Sequence, residues 1–172
     1  MWHPPRRAEA RGHPGLVRAA HANVTTIRKG RPEDHEALLD LWKRSVTATH
    51  RFLAEADIAA LVPVVRDQAL PALELWVIVD ADGLMAGFLG LSGHSIEALF
   101  IAPEKLRRGH GRRLLELARR LRPDPLSVDV NEENPEALKF YQACGFEVIG
   151  RSPVDSAGRP FPLLHLKEIA RP

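Results

Sequence analysis

The feature that most constrains this chain is a buried strand that leads through a proline and a basic glycine loop into a helix. Residues 99–101 are apolar, Pro103 ends the strand, and Gly109 and Gly111 lie in the loop that follows. The first-turn amides of a helix have no intrahelical partner, and the helix dipole makes that end partly positive. Glycine lets the main chain approach an anion because it has no Cβ atom. The segment therefore predicts a phosphate-binding junction between a strand and a helix.

Two common phosphate loops do not fit this segment. A Walker A loop needs the pattern Gly-x4-Gly-Lys-Ser/Thr, and the sequence contains no such run. The dinucleotide-binding fingerprint needs a third glycine, and Leu114 stands at that position. The sequence therefore disfavours ATP and NAD as the phosphate-bearing ligand.

Composition indicates one domain without a membrane span. The chain has 172 residues, of which 45% are hydrophobic and 27% charged, as in an ordinary globular protein with a single core. No apolar run approaches the roughly 20 residues that cross a bilayer. The single Cys144 cannot form an internal disulfide, so the cysteine content does not indicate an oxidising compartment. We expect a cytoplasmic protein with no membrane partner.

The net charge of +2 is concentrated at the start of the chain. Residues 1–23 contain Arg6, Arg7, Arg11 and Arg18 against Glu9 alone. This segment also has three prolines and no apolar periodicity, so we expect a disordered basic extension. The remaining residues carry a net charge near −1. The predicted domain, residues 24–172, therefore lacks the basic bias of a nucleic-acid-binding protein, and we expect no nucleic-acid partner.

Apolar periodicity alternates between strand and helix patterns along this domain. Strands are predicted at 24–28, 75–79, 85–91, 95–101, 126–130, 146–151 and 161–166. Helices are predicted from Pro32, at 54–69 with an interruption at Pro63, after Gly111 as far as Arg122, and from Asn134 to Gly145. Leu38, Leu41, Trp42 and Ser45 fall on one face of the first helix.

A second motif follows the glycine loop and the next strand. Its members are Asn131, Asn134, Ala137, Tyr141 and Gly145. The loop and this motif, in that order, resemble the GNAT superfamily of acyl-CoA-dependent N-acyltransferases over residues 25–168. Segments 44–53 and 150–164 resemble a bacterial subgroup of that family, the YjaB-type acetyltransferases.

The resemblance implies an α/β (α+β) GNAT fold with a mixed, mostly antiparallel central sheet of six or seven strands flanked by helices. The fourth and fifth strands of such a sheet splay apart, which leaves their facing backbone groups unpaired. The peptide-like pantetheine arm of acetyl-CoA is expected to pair with them, as an added strand pairs with an open edge. Acetyl-CoA is thus the expected cosubstrate, and a homodimer is a possible assembly.

The resemblance assigns acetyl-CoA contacts to three groups of residues. These are the strand backbone of Leu99, Phe100 and Ile101, the loop residues Arg107, Arg108, Gly109, His110, Gly111 and Arg112, and the second-motif residues Asn131, Asn134 and Ala137. The family's loop usually has Gln or Arg three residues before its first glycine, where this chain has Leu106. We expect binding to survive this departure, because backbone amides and the neighbouring arginines contact the pyrophosphate.

Acyl transfer to an amine needs a base for the attacking amine and an acid for the leaving thiolate. Tyr141 is the candidate acid, because the phenol pKa of about 10 lies close to the thiol pKa of about 8.5. Packing in the core is the alternative role for this tyrosine. Glu97 and His50 are the candidate bases. Their alternatives are a solvated or salt-bridged strand carboxylate and a helix cap.

Other reactive side chains receive structural roles. No second ligand lies at metal spacing from His110, so we predict no metal and expect this histidine to offer its backbone amide to phosphate. Cys144 is expected to be a small buried apolar residue, because direct transfer needs no acyl-enzyme. By resemblance to the subgroup, Arg159 and His165 are expected near the acceptor pocket.

The implied function is transfer of acetyl from acetyl-CoA directly to a primary amine of a small molecule or a peptide. The alternative is a catalytically silent acyl-CoA-binding or regulatory module that keeps the cofactor cleft. Tyr141 together with a candidate base favours the enzyme. The sequence does not identify the acceptor amine.

Overall fold

A computed structural model describes residues 24–169, and the predicted extension at 1–23 lies outside the described residues. The strands are β1 (Thr26–Lys29), β2 (Glu74–Val79), β3 (Met85–Ser92), β4 (Ser95–Ile101), β5 (Ser127–Asn131), β6 (Phe146–Ser152) and β7 (Leu163–Glu168). The main helices are α1 (His35–Thr49), α2 (Glu55–Val64), α3 (His110–Leu121) and α4 (Pro135–Ala143). Short 3-10 turns at Pro32–Asp34 and Pro103–Lys105 precede α1 and the glycine loop.

The strands form one seven-stranded sheet in the order β1-β2-β3-β4-β5-β7-β6. All neighbouring strands are antiparallel except β4 and β5, which are parallel and are joined by a crossover through α3. This confirms the predicted mixed, mostly antiparallel sheet. β4 and β5 pair at only two positions, which confirms that they splay apart.

Each face of the sheet carries its own apolar core. Helices α3 and α4 cover one face, where Leu114, Leu115 and Tyr141 pack on buried strand residues. Helices α1 and α2 cover the other face over β2, β3 and β4. The predicted inner face of α1 is confirmed, since Leu38, Leu41, Trp42 and Ser45 are all buried. Each large apolar side chain of this kind stabilises the fold by about 1.5–3 kcal/mol.

The predicted interruption at Pro63 is a change of helical geometry and not an end of the helical path. Pro63 lies inside α2, and the helical path continues through a π-helical turn (Val65–Ala69) and a short α-helical segment (Leu70–Ala72). Proline has no amide for the hydrogen bond to residue i−4, so the local pattern loosens rather than the path ending. The buried side chains of Ile58 and Leu70 hold both parts of this path against the core.

Most strand boundaries differ from prediction by one or two residues. The last strand begins at Leu163, whereas the sequence predicts its start at residue 161. Pro162 explains the shift, because it has no amide to donate to a neighbouring strand. The fifth strand runs one residue further along, as Ser127–Asn131.

Candidate active site

The centre of the candidate site is the opening between β4 and β5. These strands pair at Ser95 with Ser127 and at Ile96 with Val128, and there the pairing ends. β4 stays paired with β3 as far as Ile101, and β5 stays paired with β7 as far as Asn131. We call the opening between residues 97–101 of β4 and residues 129–131 of β5 the fork. The backbone groups that face each other across the fork have no strand partner.

Residues 106–112, which we call the amide loop, connect β4 to α3 at the open end of the fork. None of their amides donates a hydrogen bond to a residue in the described part of the chain. The first bond of α3 runs from the Arg113 amide to the Gly109 carbonyl, at 3.1 Å. Gly109 has φ of 81° and Arg107 has φ of 62°, so both lie in the left-handed region. A run of free amides at a helix start fits a phosphate group.

Gly111 joins the amide loop to the rest of the site. A Cβ atom at this position would lie 3.3 Å from Phe140 Cζ of α4 and 4.0 Å from Ile101 Cγ1 of β4. The first contact is tighter than most real Cβ contacts, so a side chain here would displace the ring or the loop. Glycine is therefore needed at this position because a side chain would press against Phe140.

The loop side chains are placed mainly on the surface. Leu106, which replaces the usual Gln or Arg of the family, is 43% exposed. Arg107, Arg108 and Arg112 are exposed as well, so positive charge surrounds the amide loop as predicted. Among the described residues, the amides of the loop are unpartnered although position 106 has no polar side chain.

His110 differs from its neighbours because its side chain is buried. It is 6% exposed, and neither ring nitrogen has a hydrogen-bond partner among the described residues. Burial lowers the pKa of His110, while the nearby Asp80 carboxylate acts in the opposite direction. Asp80 forms a buried ion pair with Lys105 beside the loop. The sequence does not predict this burial, because the two neighbouring glycines suggest an open loop.

Tyr141 lies on α4 and packs in the core beneath the fork. Its ring makes edge contacts with Phe140, at 5.1 Å between ring centroids, and with Phe146, at 5.2 Å. Leu99 of the fork packs against the same cluster. The hydroxyl makes no hydrogen bond with residues 24–169, so the carbonyl partner expected of a purely structural tyrosine is not found there. Burial, and secondarily Cys144, raises the pKa of Tyr141 above its ordinary value, which keeps the hydroxyl protonated.

Asn131 and Asn134 have different surroundings. The Asn134 side chain caps α4 by accepting a hydrogen bond from the Ala137 amide at 3.3 Å. Asn131 ends β5 at the fork, and its Oδ1 is buried without a partner among the described residues. A buried acceptor without a partner is costly. Asn131 is thus the one of the two that is suited to a ligand, and Asn134 and Ala137 have a structural role already.

His50 follows α1 and is half-buried between aromatic rings. Its ring lies 5.4 Å from Phe52 and 6.4 Å from Phe100 of the fork, measured between centroids. Thr49 Oγ1 donates to the Ser45 carbonyl at 2.8 Å and lies 2.8 Å from His50 Nδ1. Because a hydroxyl has one hydrogen, Thr49 must accept from His50, and Nδ1 therefore carries the proton.

This tautomer leaves Nε2 of His50 with a lone pair. No residue in the described ranges hydrogen-bonds to this nitrogen. Burial lowers the pKa of His50 below 6.5, so the imidazole is neutral at pH 7. A neutral imidazole with an unpartnered lone pair can accept a proton. His50 therefore has both the tautomer and the protonation state of a base.

Glu97 lies at the point where β4 bends away. Gly90 pairs with Ala98 and Leu91 pairs with Ile96, so Glu97 is the extra residue of a β-bulge. Its side chain is exposed, and no ion pair joins it to another residue of 24–169. The salt-bridge alternative for Glu97 therefore has no support within the described residues.

Other side chains border the face of the fork opposite α3 and α4. Phe52, after α1, and Phe161, before β7, have ring centroids 6.0 Å apart. Arg159 lies over the Phe161 ring at 5.8 Å and pairs with Asp155 at 2.8 Å. The loop between β6 and β7 thus meets the segment after α1 across this face.

Asp129, which hydrogen-bonds to His165, is not predictable as a site residue from the sequence. Asp129 Oδ1 lies 2.6 Å from His165 Nδ1, and Ser152 Oγ lies 2.6 Å from His165 Nε2. The alternation of Asp129 between two buried valines is a signal that it faces away from the core, but only the strand order brings its partners to it.

Cys144 has the structural role that was predicted. It is buried and free, and burial raises the pKa of its thiol. No cluster of three or more histidine, cysteine or carboxylate side chains suited to a metal is found among residues 24–169. Within the same residues, no helix is long and apolar enough to cross a membrane.

Comparisons with known proteins agree with this architecture. Residues 71–148 match the family described as acetyltransferase (GNAT) domain. The chain is 46% identical to the peptidyl-lysine N-acetyltransferase YjaB of Salmonella typhimurium over 143 residues, which is 83% of this chain and 97% of that protein. It is 34% identical to the peptidyl-lysine N-acetyltransferase YiaC of Escherichia coli over 124 residues, 72% of this chain and 84% of that protein.

Solved structures show the same fold. The apo-form solution structure of YjaB from Escherichia coli matches with a TM-score of 0.78 and 43% identity, over 86% of this chain and 99% of that one. An N-acetyltransferase (PaiA) of Thermoplasma acidophilum, solved with coenzyme A, matches with a TM-score of 0.67 and 20% identity, over 86% and 99% of the two chains. The fork, the amide loop and these relatives together identify the protein as an acyltransferase, and the chain belongs to the GNAT family of N-acetyltransferases.

Proposed function

We propose that this chain transfers the acetyl group of acetyl-CoA to the ε-amine of a lysine in a peptide or protein. The observation that carries the proposal is the fork between β4 and β5 with the amide loop at its open end. The acceptor class is supported by the names of YjaB and YiaC, which are peptidyl-lysine N-acetyltransferases. A small-molecule primary amine is the second acceptor class that such a site admits.

Acetyl-CoA fits the groups that line this opening. The amide loop offers unpartnered N–H groups to the pyrophosphate, and the exposed arginines around it add positive charge. The backbone of Leu99, Phe100 and Ile101 offers strand hydrogen bonds to the pantetheine arm. The buried Oδ1 of Asn131 accepts from an amide of that arm. The cosubstrate supplies the activated acyl group.

Tyr141 acts as the general acid in this proposal. Its buried ring is fixed by Phe140 and Phe146, and its hydroxyl has no partner within the described residues that would compete for the proton. The raised pKa keeps the hydroxyl protonated until a thiolate forms. Proton donation by this hydroxyl is unfavourable in the resting protein. It occurs only when negative charge develops on the leaving sulfur beside the hydroxyl.

His50 acts as the general base. Burial lowers its pKa, so Nε2 is unprotonated at pH 7 and can accept the proton that the amine loses as it attacks. Glu97, exposed in the bulge of β4, is the second candidate for this role. His50 is preferred because its tautomer is fixed by Thr49 and its ring borders the fork through Phe100.

The substitution Tyr141→Phe tests the proposal. We expect kcat for a lysine-containing peptide to fall by about 100-fold, the size of a lost acid–base contribution. The acetyl-CoA dissociation constant should stay within about twofold, because no binding contact of the hydroxyl is removed. Steady-state kinetics with thiol detection and calorimetric titration give the two values.

Two results would contradict this reading. Equal kcat in Tyr141→Phe and the unaltered protein would remove the tyrosine from the reaction. Binding of acetyl-CoA without transfer to any peptide or small amine would instead indicate the catalytically silent module.

A further inference from the structure

Asp129 lies at the apex of the fork, which is the point where the pairing of β4 with β5 ends. It directly follows Val128, the last β5 residue that pairs with β4. Val128 and Val130 are buried under α3 and α4, so Asp129 between them faces the opposite side of the sheet. Its side chain is 56% exposed. The carboxylate is therefore open to molecules that approach the fork from the face bordered by Phe52 and Phe161.

A chain of two hydrogen bonds holds this carboxylate. Asp129 is directly opposite His165 in the β5–β7 register, and its Oδ1 lies 2.6 Å from His165 Nδ1. A carboxylate can only accept, so His165 Nδ1 carries the proton and donates it. In the neutral imidazole, Nε2 of His165 is then the acceptor, and Ser152 Oγ donates to it at 2.6 Å. Three strands thus contribute one residue each to an ordered Asp–His–Ser chain.

Gly150 makes room for the ring in this chain. It lies opposite His165 on β6, and a Cβ atom there would be 3.4 Å from His165 Cδ2. A larger residue would press on the flat side of the imidazole. The register and the glycine together fix the ring between Asp129 and Ser152.

Asp129 pairs with a histidine, whereas the neighbouring carboxylates pair with arginines. In this half of the sheet Glu132 pairs with Arg151, Asp155 with Arg159 and Glu168 with Arg119. Among residues 24–169 no lysine or arginine pairs with Asp129. His165 uses Oδ1, so Oδ2 keeps its hydrogen-bonding capacity. A fixed carboxylate with a free oxygen is a ligand for an ammonium group.

We propose that Asp129, held by His165 and Ser152, binds the ammonium group of a cationic primary amine at the apex of the fork. The inference rests on the proposed function, because it specifies how the acceptor of that reaction is recognised. Asp129 is the binding residue, and His165 and Ser152 are positioning residues. The substrate class is an alkylamine that carries a positive charge before reaction, such as a lysine side chain.

The substitution Asp129→Asn removes the charge and keeps an oxygen for His165. For a lysine-containing peptide we expect KM to rise by about tenfold, with kcat and the KM for acetyl-CoA changed less than about twofold. Glu147→Gln is the matched control, because it removes one exposed carboxylate from β6 in the same half of the sheet. The control should leave all three constants unchanged.

Two substitutions of His165 test its positioning role, one that removes its hydrogen-bond donor and one that restores a donor. His165→Leu removes the donor to Asp129 and should raise the peptide KM by about fivefold. His165→Asn provides a side-chain N–H at the place of Nδ1 and should bring the KM back towards that of the unaltered protein. If both variants raise KM equally, or neither does, His165 does not act by positioning Asp129.

An equilibrium binding measurement tests the Asp129 site separately from the proposed acetyl transfer. Fluorescence anisotropy of a labelled lysine peptide with the CoA-saturated protein needs no turnover, and Asp129→Asn should weaken this binding by about tenfold. Unchanged affinity in Asp129→Asn would overturn the carboxylate site, even if the enzyme is active. Weakened affinity without any acetyl transfer by the unaltered protein would support the site and contradict the proposed function.

Discussion

The two sides of the fork are made of different parts of the polypeptide. The side predicted to hold the cosubstrate consists mainly of backbone groups, namely the amide loop and the free edge of β4, to which Asn131 adds a side chain. The opposite side consists of side chains, with His50 and Phe52 after α1, Phe161 before β7, and Asp129 on β5. A backbone site depends on where the chain can bend, and a side-chain site depends on which residues the fold brings together. We therefore expect substitutions on the two sides to have separable effects.

We expect the largest effect from a substitution on the acceptor side of the fork, His50→Gln. Glutamine cannot accept a proton at neutral pH, so kcat/KM for a lysine peptide should fall by about 100-fold. Acetyl-CoA affinity should stay within about twofold, since His50 is in none of the groups assigned to the cosubstrate. Steady-state kinetics and calorimetric titration provide the two measurements. A parallel loss of cosubstrate affinity would show that the two sides are not separable.

The pH dependence gives an independent check on His50. Only the neutral imidazole accepts a proton, so kcat/KM should decline as the pH falls through the His50 pKa. Burial lowers that pKa from 6.5, which places the decline at a lower pH than for an exposed histidine. The His50→Gln variant should lack this acidic limb. If the limb persists in the variant, it belongs to another group, with Glu97 as the first to test.

The next effect in size concerns the backbone side, with Gly111→Val. The new Cβ would lie 3.3 Å from Phe140 Cζ, and its two methyl groups would press further into the ring or the loop. Overpacking of this kind costs about 1–3 kcal/mol, which weakens acetyl-CoA binding by about five- to 150-fold if the loop has to shift. Calorimetric titration measures it.

Gly93→Ala is the matched control for this loop variant. Gly93 has φ of 55° in the turn between β3 and β4, and a Cβ there would meet nothing within 4 Å. Its replacement should lower the free energy of unfolding by about 1 kcal/mol and leave acetyl-CoA affinity unchanged. Weakened binding in both variants would mean that lost stability, and not the shape of the amide loop, is the cause.

The difference between a backbone site and a side-chain site explains which parts of the fork are predictable from the sequence. Gly109 and Gly111 lie two positions apart after a strand, so the loop is visible in a short stretch of residues. The predicted mixed, mostly antiparallel sheet and its splay between β4 and β5 followed from the family resemblance and are confirmed. The predicted roles of Tyr141, His50, Glu97 and the cosubstrate-binding residues remain predictions until the variants are measured.

The Asp129, His165 and Ser152 chain was not predictable in the same way. These residues come from β5, β7 and β6, and they meet because β7 inserts between β5 and β6. A one-residue shift in either register would turn His165 to the opposite face of the sheet. The burial of His110 was not predictable for a related reason, since Asp80, which lies near it and pairs with Lys105, comes from just after β2, thirty residues earlier in the chain.

The smallest expected effect distinguishes backbone shape from charge within the amide loop. Arg107 has φ of 62°. This conformation costs a residue with a side chain about 1–2 kcal/mol, whereas glycine adopts it freely. Arg107→Gly removes one exposed charge near the phosphate site, which is worth about 1 kcal/mol or less, and preserves the conformation. Acetyl-CoA affinity should therefore fall by no more than about fivefold. Arg107→Pro keeps the same loss of charge but fixes φ near −65°, so it should weaken binding much more. Because the two variants share the lost charge, equal affinities would show that the guanidinium, and not the path of the backbone, governs this side of the fork.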